Sequence, residues 1–249
     1  MKGLLRAEVL KITSTRLALG MLAGSAVYVV INVVALVFTA GQPGVPALTA
    51  ASTVRGIYAA AGAASPIVLV AGILGMTTEY RFMTVTPTFL ITPRRGRVLA
   101  AKLAVHAGFG VVLGLACAVV SGALATALLR LRSHASIQPG TVLQISGATV
   151  LGYALFAVVG VSVGALVGNQ IAAILGALLW TLIDEGLLVA FLPAVGRWLP
   201  GGALRAVLQS QTLNGGKLLP MWGASLVLLR YAIAFALVAA RTALRRDVT

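Results

Sequence analysis

The chain has 249 residues, 59% apolar and 10% charged, with nineteen Lys or Arg against five Asp or Glu. A soluble domain carries about 25% charged residues, so this chain lacks the polar surface to cover itself in water and needs a bilayer as solvent. The net charge of +14 does not point to nucleic acid, which requires a basic face on a soluble module; Lys and Arg gather instead at the ends of apolar runs.

In chain order, residues 2–15 come first. Leu5, Val9 and Ile12 recur there at helical spacing, with Arg6, Lys11 and Arg16 mostly elsewhere. That pattern predicts an N-terminal helix lying in the membrane interface. Spaced charges and the lack of a small-residue cleavage site make this segment something other than a cleaved signal peptide. A helical crossing needs about 20 largely apolar residues. Six stretches qualify: 17–39, 57–76, 98–129, 142–167, 171–192 and 221–240. The third is too long for a straight span and must tilt or project. Between the last two, residues 193–220 form the longest connection. Pro193, Pro200, Gly201-Gly202 and Gly215-Gly216 act as breakers around a short helix at 203–210. With Trp198 and Trp222 suited to an interface, it reads as an outer re-entrant or surface-lying element. The expected fold is all-α: a single polytopic transmembrane domain of six helices.

Basic residues orient it. With the N-terminus inside, Lys2, Arg6, Lys11, Arg16, Arg81, Arg94, Arg95, Arg97, Lys102, Arg241, Arg245 and Arg246 fall on the inner side. They outnumber Arg55, Arg130, Arg132, Arg197, Arg205 and Lys217 on the outer side. The excess places both termini in the cytoplasm of a multi-pass inner-membrane protein.

One connection concentrates charge. Gly75-Met76-Thr77-Thr78-Glu79-Tyr80-Arg81 leads to Thr92-Pro93-Arg94-Arg95-Gly96-Arg97, a polar island between the second and third crossings. Thr92 before Pro93 is a helix start, since the hydroxyl can cap free N–H groups and Pro suits the first turn. Residues 81–90 can form a short surface helix bent at Pro87. Glu79 and Arg81 are close enough to set the angle of approach, and Arg94, Arg95 and Arg97 offer cations to an acidic partner or anionic lipid. On charge alone, an ordinary positive inner loop is the plainer reading.

These residues resemble a known family. Thr77-Thr78-Glu79-Tyr80-Arg81, then Thr84, Thr86 and Phe89-Leu90, then Thr92-Pro93-Arg94-Arg95 with Arg97 and Lys102, is similar to the connection between the second and third spans of ABC-2-type permeases, the membrane subunits of one class of ABC exporters. The rest of the chain is similar in outline only. The resemblance implies a coupling helix, carried by Glu79, Tyr80, Arg81, Thr84, Thr86, Phe89, Pro93, Arg94 and Arg97, docked in a groove of a separate ATPase subunit. It also implies a dimer, or a pair with a similar permease, bound to two ATPase chains. Pro87 is a departure, since the family commonly shows a less interrupted helix there. The chain has no G-x-x-x-x-G-K-[ST], so ATP and its Mg would be handled by the partner, with no cofactor on this chain.

Charges inside the crossings form a second candidate site. Asp184 and Glu185 lie in the fifth stretch and Arg230 in the sixth. At 1.5 Å per residue they sit roughly 12 and 13 Å from the outer ends of their helices. One mid-membrane charge costs about 2.5–3.5 kcal/mol on insertion scales, which favours an ion pair between the helices or a wet cavity. Gly160, Gly164 and Gly168 repeat at four-residue spacing and form the foremost candidate for close helix packing. Neither His106 nor His134 has Cys, Asp or Glu at ligand spacing, so no metal site and no enzyme activity are expected. His106 reads as a packing or hydrogen-bonding residue.

The function expected is the permease half of an ATP-driven exporter. It would move a hydrophobic or amphipathic cargo such as a drug, antibiotic, peptide or lipid. Two alternatives stand beside it: a secondary transporter coupling ions through Asp184, Glu185 and Arg230, and a non-transporting scaffold or sensor subunit.

Overall fold

The computed structural model describes residues 2–84, 95–133, 137–184, 187–188, 191–208 and 218–243, with residues 95, 183, 184, 242 and 243 described in backbone only. Among them every regular element is helical. The helices are α1 Lys2–Thr13, α2 Arg16–Thr39, α3 Ala51–Ala59, α4 Ser65–Arg81, α5 Arg95–Arg132, α6 Pro139–Val167, α7 Gln170–Leu179, α8 Pro193–Gly196, α9 Pro200–Val207 and α10 Met221–Ala243. Five are long and apolar enough to cross a membrane: α2, α3 running into α4, α5, α6 and α10. The stretch expected as a fifth crossing, 171–192, is shorter among the described residues. Helix α7 ends at Leu179 and continues as one π turn over Trp180–Asp184.

α6 is the centre of the bundle, packed by α4, α5 and α10. Its interior face carries Gly152, Tyr153, Phe156, Ala157, Gly160, Val161 and Gly164, all buried. Helix α5 is 38 residues long, about 57 Å at 1.5 Å per residue and well beyond a hydrocarbon core of about 30 Å. A helix of this length must tilt or project beyond the apolar slab.

The second crossing is broken, and the reason is local. Pro66 has no N–H and its ring opposes the carbonyl four residues back, so the chain takes a 3-10 turn over Ala60–Ala64 before α4 begins. Within a membrane, carbonyls in and beside such a break gain from donors on neighbouring helices. Ser121 Oγ donates to the Tyr58 carbonyl at 3.1 Å, and Tyr153 Oη donates to the Ala61 carbonyl at 2.6 Å. The break is thus closed from α5 on one side and α6 on the other.

The end of α6 is equally legible. Gly168 adopts φ +69° and its N–H bonds the Gly164 carbonyl, the left-handed stop that glycine takes most easily. Asn169 then caps α7, its side chain accepting from Ala172 N at 3.0 Å. Beyond α7, α9 is tucked against α6 and α10, with Gly202, Ala203, Leu204, Ala206 and Val207 buried. The short helix expected at 203–210 therefore lies earlier, at Pro200–Val207, because Pro200 suits the first turn of a helix.

Candidate functional site

The glycines of α4 and α6 set how closely these helices approach. A Cβ on Gly160 would lie 2.3 Å from the Leu69 carbonyl oxygen, and one on Gly72 would lie 2.3 Å from that of Ala157. Gly164 faces Ile73 in the same way, at 2.8 Å. Gly160 and Gly164 thus pack α6 on α4 within the chain, whereas Gly168 ends the helix.

Farther along α4, where it meets α1 and α5, lies the site itself. Lys102, in the second turn of α5, is fully buried. Its Nζ donates to Glu8 Oε2 at 2.9 Å, to Glu79 Oε1 at 2.7 Å and to the Gly75 carbonyl at 3.1 Å. All three donors of the ammonium are satisfied. Lys11, on the rim, donates to Glu8 Oε1 at 2.7 Å and also to Glu79 Oε1. Two carboxylates and two ammoniums from α1, α4 and α5 form a closed, neutral cluster. Glu8, Glu79 and Lys102 are buried there, each beside an opposite charge, while Lys11 closes the cluster from its exposed rim.

His106 completes the joint one turn along α5. Its Nδ1 lies 2.9 Å from the Lys102 carbonyl and must carry the proton, since a carbonyl only accepts. Its other ring nitrogen rests against Gly75, where a Cβ would meet it at 1.8 Å. Gly75 and Glu79 on α4 therefore face Lys102 and His106 on α5, both pairs at i, i+4 spacing on one helix face.

The two members outside the crossings titrate as the cluster requires. Burial works against the Glu8 carboxylate, but Lys102 and Lys11 outweigh it and hold the carboxyl below its ordinary range. Partial burial likewise opposes the Lys11 ammonium, while hydrogen bonds to Glu79 and Glu8 more than compensate and raise its pKa.

Glu79 also anchors the polar connection through its backbone. Thr84 N–H bonds the Glu79 carbonyl at 3.0 Å and Met83 N–H bonds that of Tyr80 at 3.3 Å. This is the paired closure of a Schellman cap, with Met83 in the left-handed position at φ 56°. One residue thus holds the cluster by its side chain and the start of the connection by its carbonyl.

The residues singled out for docking separate into groups. Glu79 is turned inward and buried, Tyr80 is half-buried, and Arg81, Thr84 and Arg97 are exposed. Arg81 sits over the Phe82 ring rather than beside Glu79. Thr86, Phe89, Pro93 and Arg94 lie outside the described residues. Of the intramembrane charges, Arg230 is exposed on α10. The Asp184 side chain and Glu185 fall outside the described residues, and so does their expected pairing with Arg230. Helix α7 packs on α4 and α6, while α10 packs on α6 and α9.

Glu8 and Lys102 did not stand out from the sequence as a pair, being 94 positions apart. Two signals were present. Glu8 is the only acid in a basic helix and shares a face with Leu5 and Ile12; Lys102 interrupts an apolar run four residues before a histidine. Comparison with protein-family models and with curated proteins found no match.

Proposed function

We propose that the chain is the membrane subunit of an ATP-driven exporter of the ABC-2 type, with six crossings and both termini in the cytoplasm. The connection 82–94 receives force from a separate ATPase chain, and a hydrophobic or amphipathic cargo passes between this subunit and a second permease. The observation that supports this reading is the double role of Glu79. A connection that takes up mechanical work needs a stiff root, and here the root is tied to α1 and α5 by buried charges and to α4 by a helix cap. Displacing residues 82–84 would drag three helices together. Arg81 and Arg97, exposed on either side of the connection, are the cations a docked partner would meet. In this reading α7 and the chain after it complete the fifth crossing, α10 is the sixth, and the buried α9 is the outer re-entrant element.

The experiment is co-purification of the full chain from its native membranes, with the Arg81→Ala/Arg97→Ala variant in parallel. An ATPase chain is expected with the parent and is expected to be lost, together with ATP-driven cargo uptake into vesicles, in the variant. Both side chains are exposed, so folding should be unaffected. A parent that purifies without any ATPase, or a variant that keeps both partner and transport, would overturn the reading.

A further inference from the structure

The charge cluster divides α1 into two faces of opposite duty. At 100° per residue, Leu4, Leu5, Glu8, Lys11 and Ile12 share the inward side, and these are the positions that are buried, half-buried or hydrogen-bonded into the cluster. Lys2, Arg6, Val9 and Thr13 share the opposite side with Leu10 at its edge, and all are exposed. Val9 and Leu10 expose 45% and 56% of their surface.

The acids of the chain are few enough to follow individually. There are five, and Glu8 and Glu79 are taken by Lys11 and Lys102. Asp184 closes the π turn that follows α7, while Glu185 and Asp247 lie outside the described residues. Among the described residues no carboxylate pairs with Lys2, Arg6 or Arg16. By drawing the one acid of α1 inward, the cluster leaves an outward face that is purely cationic and partly apolar.

We propose that this outward face of α1 is a binding surface for anionic lipid headgroups, and that the cluster passes its occupancy to the root of the 82–94 connection. Charge complementarity selects the occupant. Helix α1 leads through Ser14 and Thr15 directly into the spanning helix α2, so its outward face lies at the bilayer surface. A surface of mixed Lys/Arg and Val/Leu fits the boundary between headgroups and acyl chains, where aliphatic stems bury and cations remain at the phosphate level. An acidic protein would match the cations but leave Val9 and Leu10 without an apolar counterpart. The transmission follows from the hydrogen bonds: α1 cannot shift without moving Glu8 and Lys11, both bonded to groups that hold Glu79 or to Glu79 itself. The lipid-binding part stands whether or not an ATPase is the partner.

The test uses the full chain with Cys117→Ser and one reporter cysteine at Leu10, carrying an environment-sensitive fluorophore. It is reconstituted in phosphatidylcholine vesicles with and without phosphatidylglycerol. Anionic lipid is expected to shift the emission to the blue and to increase quenching by lipid-attached quenchers, and added salt to reverse both. Each cation near an anionic leaflet contributes about fivefold to the seated state, so Lys2→Gln/Arg6→Gln should lose most of the response while Lys2→Arg keeps it. Identical spectra in the two lipids, or a full response in the Gln variant, would overturn the binding surface. Loss of a co-purifying acidic protein from the Gln variant without any lipid response would overturn it in favour of a protein ligand. A second reporter at Thr84 reads the transmission. Its labelling rate should change with anionic lipid in the parent and become indifferent in Glu8→Gln; a rate indifferent in the parent, or still responsive in Glu8→Gln, would overturn the link.

Discussion

Two levels of the α4–α5–α6 bundle are held by opposite means. Around Gly72, Gly110, Gly114 and Gly160 the helices meet because side chains are missing, and backbone touches backbone. A few turns away, at Glu8, Glu79 and Lys102, they meet because long charged side chains fill the gap between α1, α4 and α5. Glycine contacts pack densely but say little about which helix belongs where, since any small-residue face will serve. The charge cluster gains less net energy per contact, because desolvation consumes much of the attraction. It is selective, however: a partner that slips by one turn leaves a buried charge without its counter-ion. Packing supplies adhesion in this bundle, and the cluster supplies register.

Removing one partner from the cluster should show the largest effect. Lys102→Met leaves Glu8 and Glu79 to share Lys11 alone and is expected to destabilise the chain by about 3–5 kcal/mol. Thermal denaturation in detergent reads this as a lowered midpoint, and adding Glu8→Gln and Glu79→Gln to Lys102→Met should recover part of the loss. An unchanged midpoint in the single variant would mean that the cluster does not set register. The glycine level comes next. Gly160→Ala forces a Cβ against the Leu69 carbonyl oxygen and should cost about 3 kcal/mol. Gly20→Ala on α2, where an added Cβ meets nothing within 4 Å, should be neutral or stabilise by up to about 1 kcal/mol. Equal effects at the two glycines would show that close approach is not what holds α4 to α6.

Acidity separates the two levels. The Glu8 carboxyl is held below its ordinary value of 4.5, so its contribution is complete above that pH and is lost as the pH falls through its folded value. The midpoint difference between parent and Glu8→Gln, about 2 kcal/mol, should be flat from neutral pH down to about 5 and then shrink. The Gly160→Ala difference should show no such step. The smallest effect is expected at the cap. Met83→Gly relieves a side chain from the left-handed region and should stabilise by about 1 kcal/mol, read as a raised midpoint with the Glu79–Lys102 contact intact.

Much of the fold is legible in one dimension. Apolar runs locate four of the spanning helices closely, as for 142–167 against Pro139–Val167, because the bilayer demands continuous apolar surface and internal backbone bonds. The second runs longer than its stretch, over Ala51–Arg81, and the fifth stretch is shorter among the described residues. Pro66, Gly168 and Asn169 mark breaks and caps whose causes lie within one turn of chain. The candidate site was only half legible. The polar island and Glu79 stand out by contrast with their surroundings, but the face Glu79 presents does not, and it turns inward to Lys102 rather than outward beside Arg81.

What the amino-acid order determined by itself is therefore what near neighbours and solvent govern: the helical class, most of the apolar stretches and the amphipathic division of α1. The stretch 57–76, by contrast, reads as continuous, and its 3-10 break shows only in the structure. Only the tertiary structure decided that Glu8 and Lys102, at opposite ends of a 94-residue interval, neutralise each other, and that Gly75 makes room for His106. The physical reason is that a buried charge is tolerated only beside its counter-ion. Which counter-ion that is depends on how α1, α4 and α5 converge in space, and no local pattern along the chain records that convergence.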